Sequence, residues 1–480
     1  MRDYTERGLN TAQHQGATYA DIRIVRRSSE DLSVKNGIVE GLIQDESYGF
    51  GVRVIANGAW GFAASSIVTP DEIDRVVAKA VAIAKASALV GKRPVVLAPL
   101  QAIQDRYETP IKRDPFAVGL DEKIDYLMRA NTAAQSVAGI AIVQSGLNAW
   151  REEKVFASTE GSYIEQVITQ SGLMLEATAV NGGEVQSRSY PNSFSHWMTK
   201  GWEITSEYDL PGNAQRIAEE AVALLSAPHC PSGVKTLILD GQQTALQIHE
   251  SCGHPIELDR VLGMEAAFAG TSFLTLDKLN SGYRYGSDVV NMTADATLVG
   301  GLGTFGYDDE GVPAQRIDVV RNGLFSGYLT DRQTAALVGL SHSGGCSRAE
   351  GWNRLAMIRM TNVNLLPGTW RLDDLIADTD DGIYMLNNKS WSIDDKRLNF
   401  QFGCEVAYEI KNGKLGRMYK NPTYQGMTPQ FWGACDAVCN ADHWVIWGTP
   451  NCGKGQPMQM GHTGHGAAPA RFRNIKVGIV

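Results

Sequence analysis

The sequence predicts an α+β fold in two parts. Residues 1–228 read as an N-terminal α/β domain with a β-meander and long helices, and residues 229–480 as a β-rich C-terminal domain carrying a metal site. Three observations lead there. Apolar alternation runs between Asn-Gly turns over residues 20–66; helical patterns follow at 71–90 and 120–136; beyond residue 260 the chain is rich in strands and turns, which suits its 50 glycines.

In the first stretch Ile22, Ile24, Val52 and Val54 alternate with polar residues, while Asn36-Gly37 and Asn57-Gly58 supply the positive-φ pairs of tight hairpins. The helix at 71–90 follows Pro70 and starts with Asp71 and Glu72, which suit the positive end of a helix dipole. Strands resume at 138–149, 153–158 and 162–180, with turns at Gly161, Asn181 and Gly182-Gly183. A helix over 211–227 precedes the punctuated stretch 228–233, and VKTLILD at 234–240 begins a fresh apolar strand, which sets the domain boundary. Asp240 is placed to cap the next helix, QQTALQIHE. Two strands flank Asn322-Gly323, a short helix covers 371–377, and IYMLNN, FQFGCEVAYEI and KLGRMY read as strands.

A chain of 480 residues with 43% hydrophobic and 20% charged residues is globular. Its net charge of -9 argues against a nucleic-acid surface. There is no apolar run of membrane-spanning length, and MRDYTERGLN has no signal-peptide core, so neither membrane nor secretion is expected. The seven cysteines are odd in number and sparse, which suits a reducing, cytoplasmic setting better than a disulfide framework.

Chemistry concentrates in HESCGH, where His249, Glu250 and His254 fall within six residues. Zinc takes imidazole, thiolate or carboxylate donors and activates water when one position stays open. Residues five apart on a regular helix stand about 140° apart, against about 40° for a spacing of four, too wide for both rings to reach one ion. Gly253 and Pro255 are therefore expected to end or over-wind the helix and swing His254 back. Glu250 is the expected general base, taking a proton from the attacking water and returning it to the leaving amine.

The third ligand must come from elsewhere, and the candidates are Cys452, Cys252, the pair Cys435 and Cys439, and His462 and His465. Cys452, in TPNCGKGQP, reads as lying in a tight exposed turn, a context that favours ligation; Cys252 is equally suited to packing. Cys435 and Cys439 read as structural. His462 and His465 sit in a glycine-rich segment read as mobile, where substrate contact or proton handling competes with a plain surface loop. Glu257 or Asp259 is suited to orienting a metal-bound imidazole, with ordinary solvated charge as the competing reading.

HESCGHPIELD at 249–259, YDDEG at 307–311, NGLFSGYLTD at 322–331, RMTN at 359–362 and NCGKGQP at 451–457 are similar to the TldD/PmbA family of modulators of DNA gyrase. The likeness spans essentially the whole chain and is greatest to the metal-bearing TldD type. It implies a zinc metallopeptidase of HExxxH type, with His249, His254 and Cys452 holding Zn2+ and Glu250 as catalyst. It also implies an α/β N-terminal and a β-rich C-terminal domain. Dimers are implied too, with a second copy or a metal-free paralogue, enclosing a cleft that takes unfolded peptide as an added strand. Pro255 after the second histidine, Cys252 inside the motif and the histidine-bearing tail depart from the expected pattern.

The function so expected is cleavage of flexible or unfolded peptides, including removal of a leader from a modified precursor. A metal-dependent amidase acting on small amides, and a non-catalytic peptide-binding subunit with a structural metal, are the alternatives.

Overall fold

The computed structural model describes residues 1–91, 93–268 and 270–478. In the N-terminal half, α1 (Arg2–His14) leads into β1 (Tyr19–Lys35), β2 (Ile38–Ala56) and β3 (Ala59–Ser65), then α2 (Pro70–Ala88) and β4 (Gln104–Glu108). Next come α3 (Leu120–Gln135), β5 (Ile140–Ser158), β6 (Tyr163–Asn181), β7 (Glu184–Tyr190), β8 (His196–Met198), α4 (Ile204–Tyr208) and α5 (Leu210–Ser226). The expected turns hold the backbone they require: φ is 49° and 74° at Asn36-Gly37, and 53° and 77° at Asn57-Gly58. The strands expected at 138–149 and 153–158 are one continuous strand, because β5 is laddered along its length to β6 and over most of it to β1.

The sheet order is β3-β2-β1-β5-β6-β4, with β7 and β8 also paired to β6. Its two faces differ. Ile22, Ile24, Leu32 and Val34 of β1 and Val143, Leu147 and Ala157 of β5 point one way, under α1, α2, α3 and α5. Arg23, Arg27, Glu152, Lys154, Gln166 and Gln170 point the other way, against the C-terminal half, where Lys154 Nζ meets Asp309 at 2.6 Å and Gln166 donates to the Tyr307 carbonyl at 2.9 Å.

The C-terminal half begins with β9 (Gly233–Leu239) and α6 (Gly241–Ile248), followed by β10 (Met292–Asp295), β11 (Arg316–Arg321), β12 (Leu324–Phe325), β13 (Ser347–Arg348), β14 (Met357–Ile358) and β15 (Val363–Leu365). Then come β16 (Asp381–Ile393), β17 (Asn399–Lys411), β18 (Lys414–Lys420), β19 (Thr423–Met427), β20 (Cys435–Val438), β21 (Val445–Lys454), β22 (Gln459–Ala467) and β23 (Ala470–Val477). The order β16-β9-β23-β19-β17 closes on itself through β16–β17 pairing, making a barrel filled by aromatic side chains. Phe431 stacks on Phe472 with ring centroids 4.1 Å apart, and Trp432 is fully buried beside them. Every residue of α6 is buried, so this helix is core on all sides. Among the described residues no helix is long and apolar enough to cross a membrane.

The α+β architecture is as expected, but the C-terminal segment is a correction. Residues read as an exposed turn around Cys452 and a mobile tail around His462 and His465 form the β21–β22 hairpin, where Cys452 is 5% and His465 0% exposed.

Candidate metal centre

Asp240 caps α6 by accepting from the Gln243 amide at 2.7 Å. The helix then widens into a π turn over His249–Gly253, closed by the His254 amide donating to the His249 carbonyl at 3.2 Å. A π turn carries more residues per revolution than an α-helix, so residues five apart come round to the same side. This replaces the expected break: the helix is unwound, not ended or over-wound. Glycine at 253 leaves room for Met360, whose Sδ would lie 2.1 Å from an added Cβ and would have to move. Tyr285 and Trp432 fasten the turn by donating to the Ser251 carbonyl and hydroxyl, each at 2.9 Å.

The widened turn brings the rings of His249 and His254 to 4.9 Å between centroids. Cys452 reaches them from β21, with Sγ 3.9 Å from His254 Nε2. The three donor atoms lie within 4.8 Å of one another and all three residues are buried. Glu250 and Cys252 are not members of this set, and Cys435, Cys439, His462 and His465 are also outside it.

Partners behind the rings fix which nitrogen faces inward. His465 Nδ1 lies 3.1 Å from the Val363 carbonyl, which only accepts, so the proton of His465 sits on Nδ1. Its Nε2 then accepts from His249 Nδ1 at 2.7 Å, leaving His249 Nε2 as a lone pair. Glu257 does the same for His254 by accepting from Nδ1 at 3.0 Å. Asp259 is engaged elsewhere, by Lys454 Nζ at 2.8 Å.

The thiols separate sharply. Burial pushes Cys252, Cys435 and Cys439 up to about 12, and Cys230, Cys346 and Cys404 are raised as well. Burial acts upward on Cys452 too, but His249, Arg359 and His254 outweigh it and hold this thiol well below its ordinary value. Cys452 is thus the one of the seven cysteines suited to thiolate ligation. Burial likewise opposes the charge of Glu250, yet His254, His249 and Arg397 keep its carboxyl below the usual range.

Two imidazoles with inward lone pairs and one thiolate are the donors zinc takes, and three protein ligands leave a fourth position for chemistry. The expected metallopeptidase of HExxxH type is corrected by this geometry. What converges is a His/His/Cys triad, His249, His254 and Cys452, and not a zincin motif. The physical reason is that the histidines share a side only through a π turn, and the third donor arrives on a distant strand.

Arg397, Arg359 and Lys454 also bear on the centre. Lys454 in NCGKGQP and Arg359 in RMTN lie inside motifs singled out in the sequence, whereas Arg397 lies in none. His465 was singled out for substrate contact or proton handling, and the structure gives it to the back of His249.

Fold and site together define a protein of α+β architecture with a buried His/His/Cys cluster capable of coordinating a metal ion. Its sequence matches the PmbA/TldA metallopeptidase domain 1 over residues 20–84, the central domain over 113–226 and the C-terminal domain over 232–478. A metalloprotease of Methanocaldococcus jannaschii is 32% identical over 93% of this chain and 94% of its own length. A metalloprotease of Methanothermobacter thermautotrophicus is 30% identical over 96% and 95%. In fold, the chain is similar to TldE of Thermococcus kodakarensis, with a TM-score of 0.76 and 17% identity over 99% of both chains. It is also similar to a Thermotoga maritima protein whose name associates it with modulation of DNA gyrase, with a TM-score of 0.79 and 18% identity over 99% and 100%. The chain belongs to the PmbA/TldD metallopeptidase family. Family and triad together support a metal-dependent peptidase activity of that general type.

Proposed function

We propose that the chain is a zinc peptidase acting on flexible or unfolded polypeptide, with His249, His254 and Cys452 as ligands and Glu250 as general base. The observation that carries this reading is the meeting of the single depressed thiol with two imidazoles whose Nδ1 atoms are both engaged from behind. A zinc ion held there supplies Lewis acidity at the scissile carbonyl and makes water a better nucleophile near neutral pH. Glu250, one residue from a ligand yet outside the triad, takes the proton of the attacking water and delivers it to the leaving amine. Arg397 orients that carboxylate from the barrel side, with Nη1 2.5 Å from Oε2.

The preference for extended substrate is supported by β21, whose one ladder partner among the described strands is β22. A peptide adding a strand there would be gripped through its main chain, a mode indifferent to most side chains and compatible with trimming a leader. A cytoplasmic setting is supported by seven free thiols. The chain works as a dimer, with a second copy or a metal-free paralogue, which sedimentation of the purified protein tests.

The test of function is Glu250→Gln. Zinc content should stay stoichiometric while cleavage of an extended peptide falls by about 10²–10⁴-fold. Undiminished cleavage would remove Glu250 from its role, and equal cleavage of a small amide by the unsubstituted protein would favour the amidase.

A further inference from the structure

A cavity of about 160 Å³ lies between the polar face of the N-terminal sheet and the outer side of the β21–β22 hairpin. None of the triad residues lines it. On β22, His465 faces the metal centre whereas His462, three residues earlier, faces this cavity, with its ring 5.2 Å from that of Trp150. Tyr307 and Asp309 of YDDEG and Arg359 of RMTN line it, so two sequence motifs with no place in the metal ligand set converge here.

Its charges do not balance locally. Arg27 is paired with Glu152 at 3.0 Å and Lys154 with Asp309 at 2.6 Å. Arg348 and Arg359 have no carboxylate within 4.0 Å among the described residues. Each donates to main-chain carbonyls, Arg348 to Met360 and Arg359 to Gln459 and Cys452, and in each Nε is buried without a hydrogen-bond partner. Glu350, the remaining acid of the lining, accepts from the Met460 amide at 2.7 Å. Burial and the neighbouring Arg359 pull Arg348 down to about 10, so its guanidinium is still charged at neutral pH. Arg359 is buried and Arg348 half-buried, and two adjacent cations with no carboxylate in direct contact are costly, a cost that a bound anion relieves.

We propose that this cavity is an oxyanion-binding site, in which Arg348 and Arg359 clasp a carboxylate or phosphate group. The volume suits an end group or a small ion, since pockets for whole drug-sized molecules run to about 300–1,000 Å³. Guanidinium forks match such oxygens better than any other side chain. The same Arg359 holds the Cys452 carbonyl, so the anion sits one side chain from the strand that bears the thiolate. This inference does not depend on the peptidase reading.

The test is calorimetric titration of the full-length zinc-loaded protein at chloride-matched ionic strength. The probes are inorganic phosphate, N-acetylalanine and the amide of N-acetylalanine. Saturable binding of phosphate alone identifies a free oxyanion as occupant; binding of N-acetylalanine but not its amide identifies a terminal carboxylate. Either supports the site if Arg348→Met weakens binding at least about tenfold while zinc stays bound. Glu350→Gln, which removes a repelling charge and keeps an acceptor for Met460, should tighten binding about threefold, and it decides the matter if Arg348→Met does not fold. Absence of saturable binding by any probe, or binding unchanged in the folded variants, overturns the proposal.

Discussion

Arg397 Nη1 donates to Glu250 Oε2 across 2.5 Å, joining the loop between β16 and β17 to the π turn that bears the histidines. Arg397 holds a left-handed backbone, φ 62°, and its side chain is mostly covered. A non-glycine residue in that region is costly, and here it aims a cation at the proposed base.

Arg397→Met should therefore leave zinc content unchanged and lower kcat about tenfold, because the carboxylate loses its orientation. The acid limb of the pH profile should also move. Burial raises Glu250 while His254, His249 and Arg397 lower it, so losing Arg397 raises its pKa and the base form disappears at a higher pH. Steady-state rates across pH check both effects.

His465→Ala should weaken zinc binding about 10–100-fold without removing a ligand. The variant frees His249 Nδ1 from its 2.7 Å partner and with it the constraint that keeps Nε2 inward. Competition against a calibrated chelator measures the loss.

Zinc uptake should release protons, and more of them as pH falls. Burial opposes the charge on His249, but Cys452 and Glu250 raise its pKa above the ordinary imidazole value, while the Cys452 thiol is depressed. The imidazole must lose its proton to bind, and apparent affinity should drop about tenfold per unit as pH falls below that raised value. Calorimetry in buffers of different ionisation enthalpy counts the protons.

Lys454→Met should destabilise the protein by about 3–5 kcal/mol. Lys454 is fully buried, and its Nζ lies 2.8 Å from both Asp259 oxygens and 3.3 Å from Glu257, so its removal strands the buried carboxylate of Asp259, while Glu257 keeps His254 and Arg260. Chemical denaturation with zinc present measures the change.

Local chemistry made much of this architecture legible. Asn-Gly pairs specify their own backbone, Asp240 needs only its next turn to cap a helix, and Ile22 and Ile24 reveal a face by alternation. The π turn is not legible in the sequence because the contacts that hold it are tertiary: Met360 packs against residue 253, and Tyr285 and Trp432 fasten Ser251. The strand character of 459–467 was hidden by its glycines, which are there because neighbours press against the backbone. A Cβ at Gly464 would lie 2.1 Å from Asn362 Oδ1, and one at Gly466 1.8 Å from Trp444. Arg397 and Arg359 are read from no motif spacing, since each acts over more than ninety residues of sequence, on Glu250 and on the Cys452 carbonyl.

Zinc stoichiometry of purified Cys452→Ala, set beside the unsubstituted protein, tests the central claim most directly. Loss of the sole depressed thiol should leave two imidazoles unable to retain the ion, with zinc falling well below one per chain while the fold persists. Full retention of zinc in that variant would contradict the triad.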